Sequence, residues 1–226
     1  AQFAAAMKMF DRIAVPLVGC PGNHDAPVFS WHKRALSPFA RFNNLQLANA
    51  WDSACGLVSV RAINSARGLQ ARWDWSQGVY DPAAFAAAQR SFAHGARWRI
   101  IACHHPPHAP PSVAMRLKTR RAREAIARLH GAYTFLCGHV HARREFTAFD
   151  RPDIDVVTAP SLGSPRARGG GLGFLVLRFS NQRSIEEWRW LCGAFRPVSE
   201  CAASAPAARS APAAPEARRL TKKTIG

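Results

Sequence analysis

The sequence has few acidic residues and no long apolar run. Its 226 residues include 14 Asp and Glu against 31 Lys and Arg, which gives a formal net charge of +17. A surplus of this size makes phosphate-rich partners the first to consider. No apolar stretch approaches the roughly 18 residues that cross a bilayer, and the opening residues lack the pattern of a signal peptide. We therefore expect a soluble protein without a membrane span.

The sequence also lacks paired cysteine motifs. None of its six cysteines forms a C-x-x-C pair, and most lie in apolar runs, where a small buried side chain is the simplest interpretation. We expect reduced, structural cysteines and a cytoplasmic protein. No internal repeat is present.

The rest of the composition is that of a folded protein. Hydrophobic residues make up 48% and charged residues 20% of the chain, so one sizeable core can form. Beyond residue 193 the sequence changes to Ala, Pro, Ser and Arg without hydrophobic periodicity. These patterns predict one domain over residues 1–192 and a disordered tail over 193–226.

Three apolar runs predict buried strands that each stop at a loop containing histidine. They cover residues 13–20, 98–103 and 133–137. Between the last two, residues 112–130 carry an apolar stripe and predict an amphipathic helix. Strand, helix and strand in this order indicate an α/β fold.

Other patterns predict a second sheet and two further helices. Strands of the second sheet are expected within 41–63, chiefly 57–64, and at 156–159, 173–179 and 185–190. Residues 2–10 resemble a helix, and Asp81 followed by Pro82 opens another that runs to about residue 92.

The loops after the three strands share residue types that bind transition metals. Neutral imidazole and amide oxygen atoms that converge from the end of a sheet suit a divalent ion. Each motif alone has a more ordinary interpretation as a turn or an exposed rigid segment. Their coincidence after three predicted strands favours a functional site. The motifs are Gly22-Asn23-His24-Asp25, His104-His105-Pro106-Pro107 and Gly138-His139-Val140-His141.

These three motifs, in this order, resemble those of the calcineurin-like metallophosphoesterase superfamily, most closely its bacterial cyclic-nucleotide phosphodiesterase branch. The resemblance covers about residues 1–190. It implies a four-layer α-β-β-α sandwich and a two-metal centre at which a metal-held hydroxide hydrolyses a phosphoester. The substrate would be a small-molecule phosphomonoester or phosphodiester. The metals would be Mn or Fe, with Zn or Ni as alternatives.

The resemblance also implies roles for individual residues. Asn23, His104 and His139 would ligate one metal ion, and His141 would ligate the other. His24 would contact the phosphate or protonate the leaving oxygen, with Asp25 as its orienting partner. Two further residues, His105 and Arg166, would contact the substrate.

Two motifs that the superfamily places before these are absent from the sequence: an Asp-x-His after the first strand and a Gly-Asp after the second. They would supply the anionic ligands, including the Asp that bridges the two metals. We therefore expect an N-terminally truncated domain with an incomplete binuclear centre, marginal stability and impaired activity. A non-catalytic remnant of the superfamily is the alternative.

A basic nucleic-acid-binding module is the second alternative. Basic residues cluster at 118–123, 143–144, 166–168 and 218–223. They are not interleaved with aromatic residues, and no nucleic-acid-binding motif is recognisable. Nucleic acid is therefore possible but not favoured, and the surface of a helix is the simpler interpretation of 118–123.

Overall fold

A computed structural model describes residues 7–71, 74–110, 117–164 and 171–199 of the chain. Residues 7–10 are helical, which agrees with the predicted helix over 2–10 as far as it is described. The further helices are α1 (Trp31–Leu36), α2 (Ala40–Asn43), α3 (Pro82–Ser91) and α4 (Ala122–Ala127). The strands are β1 (Ala50–Asp52), β2 (Val58–Ala62), β3 (Trp98–Cys103), β4 (Tyr133–His141), β5 (Arg144–Ala148), β6 (Arg151–Pro160), β7 (Gly173–Phe179), β8 (Arg183–Leu191) and β9 (Ala194–Pro197).

The main sheet has six strands in the order β1-β2-β3-β4-β6-β5. Strands β2, β3, β4 and β6 run parallel, and β1 and β5 pair antiparallel at the two edges. The carboxyl ends of the four parallel strands therefore meet at one edge of the sheet, where α/β proteins place their ligands. The predicted α/β class is confirmed.

The second sheet contains β7, β8 and β9, all antiparallel. The predicted strands at 173–179 and 185–190 belong to it, but those at 57–64 and 156–159 do not. They form β2 and β6 of the main sheet. The centre of β6, Val156 and Val157, is buried on both faces, as in an inner strand of a parallel sheet. An apolar run predicts a strand, but it does not predict which sheet the strand joins.

The core lies between the main sheet and the helices α3 and α4. The rings of Tyr80 and Phe85 stack with centroids 4.6 Å apart, and the Phe135 ring lies 5.9 Å from Phe85. Ile126 and Leu129 complete this layer. The alternate residues of β4 and β6, such as Leu136 and Val157, face β7 across an apolar cavity of about 410 Å³. The main sheet is thus covered by helices on one face and by the second sheet on the other.

Helix α3 confirms the prediction for residues 81–92. The carboxylate of Asp81 accepts a hydrogen bond of 2.9 Å from the Ala83 amide, and Pro82 occupies the first helical position. This arrangement satisfies one of the free amide groups of the first turn.

Two further predicted elements differ from the structure. Of the helix predicted over 112–130, residues 112–116 lie outside the described residues, and only Ala122–Ala127 is helical in the part described. Residues 13–20 form no strand; Val18 makes a single bridge to Ala48. Pro16 has no amide hydrogen to donate to a ladder, and Val15 is exposed, so this run does not behave as a central strand.

The first residues of the tail predicted over 193–226 are ordered as a strand. Residues Ala194–Pro197 form β9, which pairs with β8 through contacts such as Trp190 with Phe195. The wrong boundary arose because a four-residue edge strand shows too little periodicity to be recognised. Residues 200–226 of the predicted tail lie outside the described part of the chain.

The described cysteines are all free thiols, as predicted. Cys103 and Cys137 are buried, whereas Cys55 and Cys192 are exposed. Across the same described residues, no helix is both long and apolar enough to span a membrane.

Candidate metal centre

Three side chains converge at the carboxyl edge of the main sheet. His104 directly follows β3, His139 lies near the end of β4, and Asn23 comes from the loop after the Val18 bridge. The Asn23 Oδ1 atom lies 2.8 Å from His104 Nε2 and 3.3 Å from His139 Nδ1. The two histidine nitrogens are 3.3 Å apart. The predicted association of these residues is thus present, although they are separated by up to 116 positions.

The spacing of these three atoms matches a metal coordination shell. Ligands bound at about 2.0–2.2 Å, with angles between about 90° and 110°, lie roughly 2.8–3.6 Å from one another. All three separations fall in this range. One amide oxygen and two imidazole nitrogens are also ligands that first-row divalent metals accept. The residues present therefore fit a divalent metal ion.

His104 is held in the neutral form that a metal ligand requires. Burial is the largest cause that lowers its pKa, from 6.5 to about 2, because desolvation disfavours the imidazolium. Positive charge on His105, His139, His24 or His141 lowers it further. His24 and His141 therefore lie close enough to His104 to influence its charge.

His105, the neighbour of His104, has a different environment. Its side chain is fully buried, and burial lowers its pKa to about 4. The Nε2 atom donates to the Ser76 carbonyl at 2.7 Å, and the Nδ1 atom accepts from the Ser65 hydroxyl at 3.0 Å. His105, His104 and His139 form the one cluster of three His, Cys, Asp or Glu side chains within metal-binding distance among the described residues. Since both ring nitrogens of His105 are used by the protein, His104 is the better ligand.

Burial also bears on the prediction that His105 contacts the substrate. A side chain with no exposed surface and two internal hydrogen bonds does not face the open site. The structure instead makes His105 a support: its ring is bonded to Ser65 and Ser76, and its own backbone carbonyl accepts a hydrogen bond of 2.7 Å from the Tyr80 hydroxyl.

Strand β4 continues past the predicted end at residue 137 and carries both histidines of the third motif. Its pairing with β6 shifts register between Cys137 and His141, as in a β-bulge. His139 and His141 both have positive φ angles, 63° and 57°. A residue in this region costs energy unless its surroundings hold it there, and such residues concentrate at functional sites. The bulge turns the His139 ring toward Asn23 and His104.

Two glycines let the backbone approach these rings. A Cβ atom at Gly22 would lie 2.7 Å from His104 Nδ1, and one at Gly78 would lie 2.6 Å from the Cγ atom of His105. Both distances are too short for a real side chain. The sequence predicts a turn at Gly22 but gives no indication of either contact.

The remaining predicted residues have mixed outcomes. His24 is exposed at the rim of the site. The Asp25 carboxylate accepts a hydrogen bond of 2.7 Å from the Gly22 amide, which holds the loop, and no hydrogen bond joins Asp25 to the His24 ring among the described residues. Arg166 lies outside the described residues.

Two loops that carry no recognisable sequence motif support the site. Ser65 and Ser76 hold His105 from positions 40 and 29 residues away. Asp74 begins the Ser76 loop; hydrogen bonding from Ser76 is the main cause that lowers its pKa, and the positive charge of His139 contributes. No local pattern marks these residues, because their role depends on contacts between distant parts of the chain.

The comparison with known proteins agrees with the geometry. A model of the calcineurin-like phosphoesterase family matches residues 1–143. A search among curated proteins gave no match. The matched region contains all three motifs and every residue of the converging set, and it spans well over half of the 226 residues. The chain therefore belongs to the calcineurin-like phosphoesterase family, whose members are metal-dependent hydrolases of phosphoesters.

Proposed function

We propose that the protein hydrolyses a small-molecule phosphodiester at a divalent metal ion held by Asn23, His104 and His139. The observation that carries this proposal is the triangle of ligand atoms with sides of 2.8, 3.3 and 3.3 Å. The mixed nitrogen and oxygen ligands favour Mn or Fe, with Zn or Ni as alternatives. Similarity to the cyclic-nucleotide phosphodiesterase branch makes a cyclic nucleotide the first substrate to test.

A bound metal ion supplies Lewis-acid activation of the phosphate and of the attacking water. The residues of the chain hold and position the reactants. His24 is exposed beside the ligand triangle, where it can donate a proton to the leaving oxygen. Asp25 fixes the His24 loop through the Gly22 amide. His141 is the candidate ligand for a second metal ion, and its charge has a small effect on the pKa of His104.

The proposed centre is short of acidic ligands. No carboxylate belongs to the metal-binding cluster that the described residues form. Two nearby dications repel each other unless an anionic ligand bridges them, so these 226 residues alone would hold one ion more tightly than a second. This observation favours a second candidate function, in which the chain binds metal but turns over slowly or not at all.

Metal binding and turnover should be measured together. We expect Mn²⁺ titration by calorimetry to show one site, and His104→Ala and His139→Ala each to weaken it at least about 100-fold. Hydrolysis of bis(p-nitrophenyl) phosphate and of cyclic AMP should depend on Mn²⁺ and disappear in both variants. His94→Ala, at an exposed histidine outside the site, is the matched control.

Two outcomes separate the candidates. Tight Mn²⁺ binding without hydrolysis would favour the non-catalytic alternative. Hydrolysis that persists in both variants would contradict the proposed metal centre. Folding of each variant is checked by circular dichroism, so that loss of structure is not mistaken for loss of a ligand.

A further inference from the structure

The basic cluster over residues 118–123 begins as extended chain, which corrects its interpretation as the surface of a helix. Lys118 bridges to His108, and Arg120 bridges to Val79. The Arg120 amide donates to the Gly78 carbonyl at 2.9 Å, and the Arg120 carbonyl accepts from the Tyr80 amide at 3.0 Å. The backbone of this segment is therefore fixed from both sides.

This extended backbone places two cations side by side. Residues two apart in an extended chain point to the same side. Lys118 and Arg120 are both exposed, whereas Thr119 between them turns inward and donates its hydroxyl to the Pro106 carbonyl at 2.6 Å. The two positive side chains thus share one face of a rigid segment.

A cavity of about 410 Å³ lies against this face. Its wall includes four cations and no carboxylate. Arg121 pairs with Glu124 at 2.8 Å, and Arg123 pairs with Asp150 at 3.3 Å in a fully exposed contact of little strength. Among the described residues, Lys118 and Arg120 take part in no ion pair. Two uncompensated positive charges therefore face the cavity.

The same cavity has an aromatic wall. The Arg123 guanidinium lies 4.2 Å from the centre of the Phe149 ring. The His108 ring packs 4.8 Å from Phe149, and its Nε2 atom accepts a hydrogen bond from the Phe149 amide at 3.1 Å. A guanidinium over a fixed aromatic ring is a surface on which a flat base can stack.

We propose that this cavity binds a nucleoside polyphosphate, with the phosphates at Lys118 and Arg120 and the base beside Arg123 and Phe149. A volume of about 410 Å³ is within the range of small-ligand pockets. None of the residues that line the cavity is a proposed metal ligand, although Pro107 and His108 follow His104 closely in the chain. Phe149 directly follows β5, whose last residue pairs with the first residue of β6, whereas His141 pairs with Pro160 at the other end of β6. The proposal is therefore independent of the proposed hydrolysis.

Binding in EDTA tests the cavity alone, because no metal ion is then present to hold phosphate. We expect ATP and inorganic tripolyphosphate to bind the wild-type chain in low salt by calorimetry. Lys118→Ala with Arg120→Ala should weaken both at least about tenfold. The control, Lys33→Ala with Arg41→Ala, removes the same two charges from exposed positions on α1 and α2 and should change affinity less than about twofold. Equal weakening by both double variants would overturn the proposal.

A second variant tests the base. Phe149→Leu keeps an apolar side chain but removes the ring, so ATP binding should fall while tripolyphosphate binding stays unchanged. If both ligands are unaffected, the aromatic part of the proposal is wrong. A dT oligonucleotide that binds more tightly than ATP, with affinity that grows with length, would overturn the assignment to a small molecule.

Discussion

Adjacent residues perform different tasks at the candidate metal centre. His104 directs its Nε2 atom toward Asn23 and His139. His105 uses both ring nitrogens in hydrogen bonds to Ser65 and Ser76, which lie in two different loops. The difference follows from their positions after β3, where one ring reaches the edge of the sheet and the other is covered completely. Both are neutral near pH 7, because burial lowers the pKa of His104 to about 2 and that of His105 to about 4.

These lowered pKa values predict that acid destabilises the metal-free protein. Below pH 6.5 the unfolded chain binds protons at both histidines, while the folded chain does not until pH falls to about 4 for His105 and about 2 for His104. The free energy of unfolding therefore decreases as pH falls from 6.5 toward 4. We expect each histidine to account for about 1 kcal/mol between pH 6 and pH 5.

Urea unfolding in EDTA at pH 7, 6 and 5 measures this effect. His104→Asn should make the decrease in the free energy of unfolding between pH 6 and pH 5 smaller by about 1 kcal/mol, the contribution of one histidine. His94→Asn replaces an exposed histidine and should leave that decrease unchanged. A pH dependence identical in wild type and His104→Asn would show that His104 is not buried as a neutral ring.

At the scale of loops and strands, the site depends on close backbone approach. The Gly22 turn packs directly on the His104 ring, and the bulge of β4 gives His139 its direction. Neither feature adds a ligand, but both determine where ligand atoms lie. Changes to the groups that orient metal ligands typically lower metal affinity by about 10- to 100-fold.

Gly22→Ala should therefore weaken Mn²⁺ binding. The new Cβ atom would come within 2.8 Å of two atoms of the His104 ring, which has to move. The Gly22 φ angle lies outside the left-handed region, so the effect would come from this contact and not from backbone strain. We expect a loss of about 10-fold or more in affinity, measured by calorimetry.

Gly163→Ala is the matched control for this change. A Cβ atom at Gly163 meets open space, and that residue also has no left-handed φ angle. Its Mn²⁺ affinity should equal that of the wild type. Unchanged affinity in both variants would mean that His104 moves aside without cost, which contradicts its role as a fixed ligand.

Elements whose cause is local were predictable from the sequence. Strand β3 has the predicted bounds Trp98–Cys103, and α3 begins at the predicted Asp81 cap. Elements whose conformation depends on distant residues could not be predicted from the sequence. Residues 118–120 carry a helical pattern but are extended because Gly78 and Tyr80 offer backbone hydrogen bonds from about 40 positions away. Tertiary contacts overrode local preference there.

At the scale of the whole molecule, the motifs predicted which residues meet, but not how. Asn23, His104 and His139 converge as their positions after three apolar runs indicated, although the first run forms only a bridge. The supports at Ser65 and Ser76 follow from the packing of the complete chain. The same holds for the contact between the two sheets, which no local pattern indicates.

Arg183 joins the two sheets. It lies in β8, and its guanidinium donates to the Thr134 hydroxyl at 3.1 Å and pairs with Asp155 at 3.2 Å, on β4 and β6 of the main sheet. The Arg183 side chain is 15% exposed and that of Asp155 is 47% exposed, so solvent screens this ion pair in part. Arg178 on the neighbouring strand β7 is 64% exposed, and within the described part of the chain its one ion pair is with Glu186 of the same sheet. A comparison of the two arginines therefore distinguishes the effect of a contact between the sheets from that of a contact within one sheet.

Arg183→Met should lower the free energy of unfolding by about 1–2 kcal/mol, because Thr134 and the half-exposed Asp155 lose their partner while the apolar stem is kept. Arg178→Met should change it by less than about 0.5 kcal/mol, as expected for an exposed pair. Urea unfolding at pH 7 compares the two. Equal, small effects would show that the sheets are held together by apolar packing alone. A larger effect of Arg183→Met, with a smaller denaturant slope, would indicate that the second sheet separates before the main sheet unfolds.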